Sequence, residues 1–328
     1  MRRTHASTLA PALLALTAAT LATPARAEIE LSLPVACTPG ADCLVQQMPD
    51  MDGGPGASDP FCGVATYDGH KGTDFSLRSL AAIDRNVAVL APAPGTVAGV
   101  RDGEPDRLMR DPSETAGREC GNGVGIDHGG GWFSQVCHLR EGSVRVEPGQ
   151  RVERGQPLGA VGYSGAAQFA HVHLQVTRDG EPVDPFTGAP LGTGCVDASA
   201  VRPLWAAKAA EAIGRPGTQV LGLGVADAPV EAERLWAEGR PREPAGASPP
   251  VAVAWGAAIN LRAGDRMRVE LLGPDGVLAG NEAVMERTRA RQMLFAGVRR
   301  PAGPVRARLT VTRDGAVVLE SERGVTAK

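Results

Sequence analysis

The stretch HVHLQV, residues 171–176, decides how this chain is read. Polar and apolar residues alternate along it, so as a strand it points His171, His173 and Gln175 to one face and Val172, Leu174 and Val176 to the other. A helix would set the two imidazoles about 200° apart, where they could not share a site. The strand reading gives two histidines on one surface above an apolar underside. The surrounding sequence, 66–190, supports it: short Val-rich runs alternate with turn signals such as Ala93-Pro94-Gly95, Gly129-Gly130-Gly131, Glu147-Pro148-Gly149 and Arg178-Asp179-Gly180. That pattern predicts an antiparallel all-β domain.

Histidine is scarce, which makes its placement informative. Beyond the first 27 residues only His70, His128, His138, His171 and His173 occur. GHKGTDF, residues 69–75, places His70 and Asp74 four apart. Gly69, Gly72 and Thr73 disfavour a helix there, so the segment reads as a loop entering a strand. Imidazole and carboxylate are both good zinc ligands, and three protein ligands with one open position make the catalytic kind of site. Zinc in such a site lowers the pKa of its water to about 7 and polarises a carbonyl, a chemistry suited to amide hydrolysis. No Glu stands in an H-E-x-x-H arrangement to manage the proton. His171, and His138 in QVCHL (135–139), are the candidates for that task. His128, in DHGG (127–130), reads as a solvated turn residue between two strands. Each piece alone is common; their joint occurrence is the signal.

The order of these pieces is specific. GHKGTDF is followed by APAPGTV (91–97), GNGVGIDH (121–128), CHL (137–139), VEPGQRVERGQPLGAVG (146–162) and HVHL (171–174). This resembles the lysostaphin-type zinc endopeptidases, over about residues 66–190. The resemblance implies one Zn2+ per chain held by His70, Asp74 and His173, with His171 and His138 as the catalytic pair. It further implies an antiparallel β fold of the duplicated-hybrid-motif type with an open groove, and cleavage of peptide cross-links or stems in peptidoglycan or of a Gly-containing peptide. All five positions are filled, unlike those of the metal-free members that activate other wall enzymes. Two features depart from the family pattern: Val136 stands where many relatives have Tyr, and 101–119 reads as an insertion. The alternative is an exported wall-peptide-binding or regulatory protein that keeps the zinc site without turnover.

The flanks complete the organisation. Residues 1–27 read as a signal peptide, with Arg2 and Arg3 ahead of an apolar stretch and Ala25-Arg26-Ala27 as the cleavage site. The apolar stretch is shorter than the ~20 residues a membrane span needs, so the mature chain is expected to begin at Glu28, without a transmembrane segment, in the periplasm or outside the cell. Loss of the leader's three arginines moves the net charge from −3 to about −6, which argues against nucleic acid as a partner.

All six cysteines lie beyond the leader with no C-x-x-C spacing, which predicts three disulfides rather than a metal cluster. A two-residue turn at His128-Gly129 would place Cys120 opposite Cys137, within bonding range. Cys37 with Cys43 closes a small loop in the loop-rich entry segment, 28–65, and leaves Cys62 to join Cys195. After Cys195, a helix is expected over 204–213, ended by Gly214. Strands over 251–254, 267–272 and 306–312, with turns at 273–276 and 313–315, then suggest a small β-sandwich within 195–328. That region contains no histidine, and its sequence leaves its role open between an interaction module that contacts a protein partner and a lid.

Overall fold

The computed structural model describes residues 28–196, 203–239, 241, 250–299, 301 and 303–325; the expected leader, 1–27, lies outside them. The fold is mainly β, built from antiparallel sheets. Ten strands come first: β1 (Cys43–Gln47), β2 (Thr73–Leu77), β3 (Ala88–Leu90), β4 (Gly95–Arg101), β5 (Asn122–Gly129), β6 (Trp132–Leu139), β7 (Arg151–Val152), β8 (Pro157–Ala160), β9 (His171–Arg178) and β10 (Glu181–Pro182). The main sheet runs β1-β2-β9-β6-β5-β4-β7, with β10 on the end of β9, and β3 pairs with β8 separately.

The alternation read from HVHLQV holds. Val172, Leu174 and Val176 are fully buried with Phe75 and Leu77 of β2, Val124 and Ile126 of β5 and Val136 of β6. Each such side chain contributes about 1.5–3 kcal/mol on leaving water, so a one-residue slip of β9 would turn three of them out of the apolar core and drive two imidazoles into it. Hydrophobic burial therefore sets the register that assembles the polar face.

The entry segment is more than a stapled loop. β1 within it forms the edge of the main sheet, and Leu31, Val35, Val45 and Met48 join the core. The short runs around β1 are interrupted by Pro, Gly and Cys, so their strand character depends on β2 as a partner.

The three disulfides are Cys37–Cys43, Cys62–Cys195 and Cys120–Cys137, the pairing expected. The register behind the third expectation was wrong. The β5–β6 hairpin turns at Gly130-Gly131, both with positive φ (61° and 85°), as a two-residue primed turn requires, and Asp127 faces Phe133. Cys120 lies before β5, and the chain bends at Gly121 (φ 60°) to bring it beside Cys137. His128 also differs from expectation: it lies within β5, half-buried, with Nδ1 2.7 Å from the Pro94 carbonyl and Nε2 2.7 Å from Ser134 Oγ.

Helix α1 (Ala207–Ile213) ends at Gly214 as expected, and its Ala209 and Ile213 pack with Leu204 and Trp205 into the core of the first sheet. The remaining elements are β11 (Gln219–Ala226), α2 (Ala232–Glu238), β12 (Val251–Leu261), β13 (Arg266–Gly273), β14 (Gly276–Val284), β15 (Arg289–Arg299), β16 (Arg306–Arg313) and β17 (Ala316–Gly324). They make a three-stranded sheet, β11-β12-β15, and a four-stranded sheet, β14-β13-β16-β17. Ala252 and Ala254 of the first meet Met267, Val269, Leu309 and Val311 of the second in one core, which is the sandwich expected.

β12 is buried on both faces. Its other side places Val253, Trp255 and Ile259 with Leu235 of α2 and with Leu44 of β1, so one apolar cluster spans both halves of the molecule. Polar bonds add to it: Gln219 Nε2 donates to the Val45 carbonyl (3.1 Å) and Asn260 Nδ2 to the Gln46 carbonyl (2.8 Å). The sandwich thereby covers an edge strand that would otherwise present unpaired backbone groups. Among the described residues no helix is long and apolar enough to cross a membrane.

Cys120–Cys137 closes a loop of 17 residues, for which chain entropy predicts about 3 kcal/mol. The double variant C120S/C137S is expected to lose about 2–4 kcal/mol in urea unfolding at unchanged secondary structure. A loss under ~0.5 kcal/mol would show that the hairpin is ordered without the bond.

Candidate metal centre

The polar face of the main sheet gathers four of the five histidines among the described residues. β2 and β9 pair with Asp74 opposite His173 and Ser76 opposite His171. Directly opposed side chains in an antiparallel pair lie closest together, and Asp74 Oδ1 is 2.8 Å from His173 Nδ1. His70, on the turn leading into β2, brings Nε2 to 3.2 Å from both of those atoms. His70, Asp74 and His173 thus form a triangle of three ligand-type atoms, with His70 and Asp74 buried and His173 half-buried.

The far side of each ring decides what this triangle can do. His70 Nδ1 is 2.8 Å from the Met48 carbonyl, which can only accept, so the proton sits on Nδ1 and the Nε2 lone pair faces Asp74. A lone pair, a carboxylate oxygen and a second imidazole within about 3 Å of one another repel unless a proton or a metal ion lies between them. Burial alone would raise the Asp74 carboxyl, but the His70, His171 and His173 rings around it outweigh that and hold it well below the usual carboxylate range. Asp74 is therefore an anion in a dry site. The contacts of 2.8–3.2 Å lie just inside the ~3.3 Å edge of a tetrahedron of ~2.0 Å bonds to nitrogen and oxygen. The donor set and the spacing fit zinc.

Two further contacts hold the candidate triad. Gly69 N–H donates to Asp50 Oδ2 (3.0 Å) and Asp50 N–H to the His70 carbonyl (2.7 Å), so the entry segment pins the turn that carries His70. Gly72 is required by close approach: a Cβ there would lie 2.5 Å from both His173 Nε2 and the Leu174 carbonyl oxygen. The other grouping of possible ligands among the described residues, Cys37 with Asp42 and Cys43, is occupied by a disulfide.

His171 and His138 stand beside the triad. Their rings are 4.5 Å apart, and His171 Nε2 is 3.6 Å from Asp74 Oδ1. His171 Nδ1 donates to the Phe169 carbonyl (2.9 Å) and His138 Nδ1 to the Ser164 carbonyl (2.8 Å), which leaves both Nε2 lone pairs free in the neutral rings. Burial depresses both pKa values. His138 falls well below its usual value because His171 and His173 add to the effect. Both rings are neutral near pH 7 and able to take up a proton.

His138 reaches this position through an unusual backbone. Its φ is +64°, in the left-handed region that non-glycine residues seldom occupy, at the end of β6. Its N–H donates to the Cys120 carbonyl (2.9 Å), and Cys120 is bonded to the preceding residue, Cys137. The disulfide therefore helps to hold a strained residue in place. Tyr67, 55% exposed, stacks on His70 at 4.5 Å, and the Phe169 ring lies 4.4 Å from His171. Neither aromatic stood out in the sequence, because each meets its histidine only through loop packing. The 101–119 stretch lies along the same rim: Met109 N–H donates to the Ala167 carbonyl (2.8 Å) and Tyr163 N–H to Asp106 Oδ1 (2.8 Å).

Comparison with known proteins bears on this segment. Residues 68–185 match the model of Peptidase family M23. An uncharacterized metalloprotease of Haemophilus influenzae is 29% identical over 143 residues, 44% of this chain and 26% of the relative. The peptidoglycan DD-endopeptidase ShyA of Vibrio cholerae is 36% identical over 64 residues, 20% of this chain and 14% of the relative. The chain thus spans about a quarter or less of these curated relatives. Among solved structures, the catalytic domain of the antimicrobial peptidase lysostaphin from Staphylococcus simulans is 22% identical at a TM-score of 0.26, covering 35% of this chain and 75% of that one. A zinc-containing peptidase from Vibrio cholerae is 23% identical at a TM-score of 0.33, covering 48% and 39%. The match encloses all five residues gathered at the site, so the segment 68–185 that carries them is what is similar to peptidase family M23.

Proposed function

We propose that this protein is an exported zinc-dependent endopeptidase that hydrolyses peptide bonds in peptidoglycan cross-links or stems. The observation that carries the reading is the buried triangle of His70 Nε2, Asp74 Oδ1 and His173 Nδ1 with two neutral histidines beside it. His70, Asp74 and His173 would hold one Zn2+, which when bound supplies a Lewis acid for the scissile carbonyl and an activated water at neutral pH. His138 and His171 would be the groups that take up the proton and return it, and once protonated would stabilise charge on the carbonyl oxygen, since each turns a free Nε2 to the site. The backbone carbonyls of Ser164 and Phe169 fix which nitrogen does so. Three disulfides fit an oxidising compartment outside the cytoplasm, in keeping with the leader read at 1–27. The similarity to a named peptidoglycan endopeptidase supports the substrate class.

Purified sacculi incubated with the mature chain are expected to release peptide-linked fragments, and a chelator should stop release until zinc is restored. Sacculi left intact at every zinc loading, with one equivalent of zinc bound, would instead identify a wall-binding protein. His173→Ala should lose zinc by metal analysis, whereas His171→Ala should keep it and lower turnover at least a hundredfold, in the range of general acid–base catalysis. Equal loss of metal in both would show that the pair is divided wrongly. Gly72→Ala should also weaken zinc binding, by tenfold or more, because its Cβ displaces the His173 ring. Zinc affinity equal to that of the unaltered protein would mean the strand yields at that position.

A further inference from the structure

The sandwich contributes one residue to the rim of the metal site. Arg291 on β15 lays its guanidinium over the Phe169 ring at 4.3 Å and lies 5.8 Å from the Trp236 ring. On Phe169 the next ring is that of His171, 4.4 Å away, and the Phe169 carbonyl holds His171 Nδ1. A cation from the far half of the molecule therefore stands one side chain from a proposed catalytic histidine.

Its hydrogen bonding is incomplete. Nη2 donates to Gln46 Oε1 (3.0 Å), Nε is buried with no partner, and among the described residues no carboxylate pairs with the group. The buried acids of the sandwich are treated differently: Glu270 is paired with Arg308 at 2.6 Å and Asp265 with Arg313 at 2.7 Å. Holding a guanidinium away from water without an anion is unfavourable, and the two aromatic faces offset this only in part. Burial lowers Arg291 to about 10, so it stays charged at neutral pH. The residue is half-buried rather than sealed, so an arriving ligand can reach it. A planar guanidinium with unused N–H groups matches a carboxylate.

We propose that Arg291 binds a carboxylate of the peptide substrate next to His171, so that the C-terminal sandwich supplies a specificity determinant of the site. The proposal rests on the peptidase reading for the identity of the ligand as a peptide. It does not need turnover to be tested. The sandwich is suited to the role because it cannot drift: Leu44 is shared with its apolar cluster, and Asn260 and Gln219 bond to the β1 backbone.

The test uses soluble peptides released from sacculi by a glycan-cleaving enzyme, either with free carboxyls or with the carboxyls converted to carboxamides. Binding of both forms is titrated calorimetrically to the full mature chain carrying His171→Ala, alone and combined with Arg291→Gln or Arg291→Lys. The free-acid form is expected to bind at least tenfold tighter than the amidated form, as a charge-assisted hydrogen bond predicts. Arg291→Gln should abolish that preference, and Arg291→Lys should keep part of it. A preference unchanged by either substitution, or absent from the start, would overturn the proposal. In turnover assays without the His171 change, a fall in kcat with the acid-to-amide ratio of kcat/KM unaltered would also overturn it, because Arg291 would then only support Phe169. Failure of the peptidase reading is seen separately, as intact sacculi with the binding preference preserved.

Discussion

The contact between Asp74 and His173 is the one on which the rest of this structure depends. It buries a carboxylate in a nearly dry site, and such a charge persists only where opposite charge and hydrogen bonds surround it. The pairing of β2 with β9 places these residues directly opposite each other, and the apolar face beneath, Phe75 with Val172 and Leu174, prevents the strands from slipping. The core and the site are two faces of one register. His70 completes the triangle from a turn, so its position needs outside support, which Met48 and Asp50 of the entry segment provide.

A second constraint operates around His138 and His171, the pair proposed to handle the proton. His138 and His171 each spend one ring nitrogen on a backbone carbonyl, which leaves the other free and directed to the site. For His138 this demands a left-handed backbone, and the Cys120–Cys137 bond with the Cys120 carbonyl holds it there. The disulfide thus connects stability to site geometry. The sandwich acts from the other side, closing the open edge of β1 and carrying Arg291 to Phe169.

Much of this was legible in the residues, and the reasons are specific. HVHLQV shows its two faces because strand periodicity is local, and the turn-punctuated Val-rich runs gave the β class for the same reason. The helix ahead of Gly214 and three of the sandwich strands, β12, β13 and β16, were signalled by composition and turn residues, whereas β11, β14, β15 and β17 were not. Where contacts between distant segments decide, the reading failed or was silent. The β5–β6 turn was placed two residues early, because three consecutive glycines offer several turns of similar energy and only packing of the strands selects one. For the same reason the sequence alone points to a solvated turn at His128, where the strand in fact continues. β1 went unread because an interrupted five-residue run becomes a strand only with β2 beside it.

The sequence by itself determined the chemistry available: which residue types can hold a metal, which face of β9 carries them, and which cysteines lie where oxidation can pair them. Those properties follow from side-chain identity and short-range periodicity. Only the tertiary structure decided the triangle of His70, Asp74 and His173, the free nitrogens of His138 and His171, and the approach of Arg291 from more than a hundred residues away in the chain. Each of these joins segments far apart in sequence, and their geometry is set by a core that forms only when the whole chain packs.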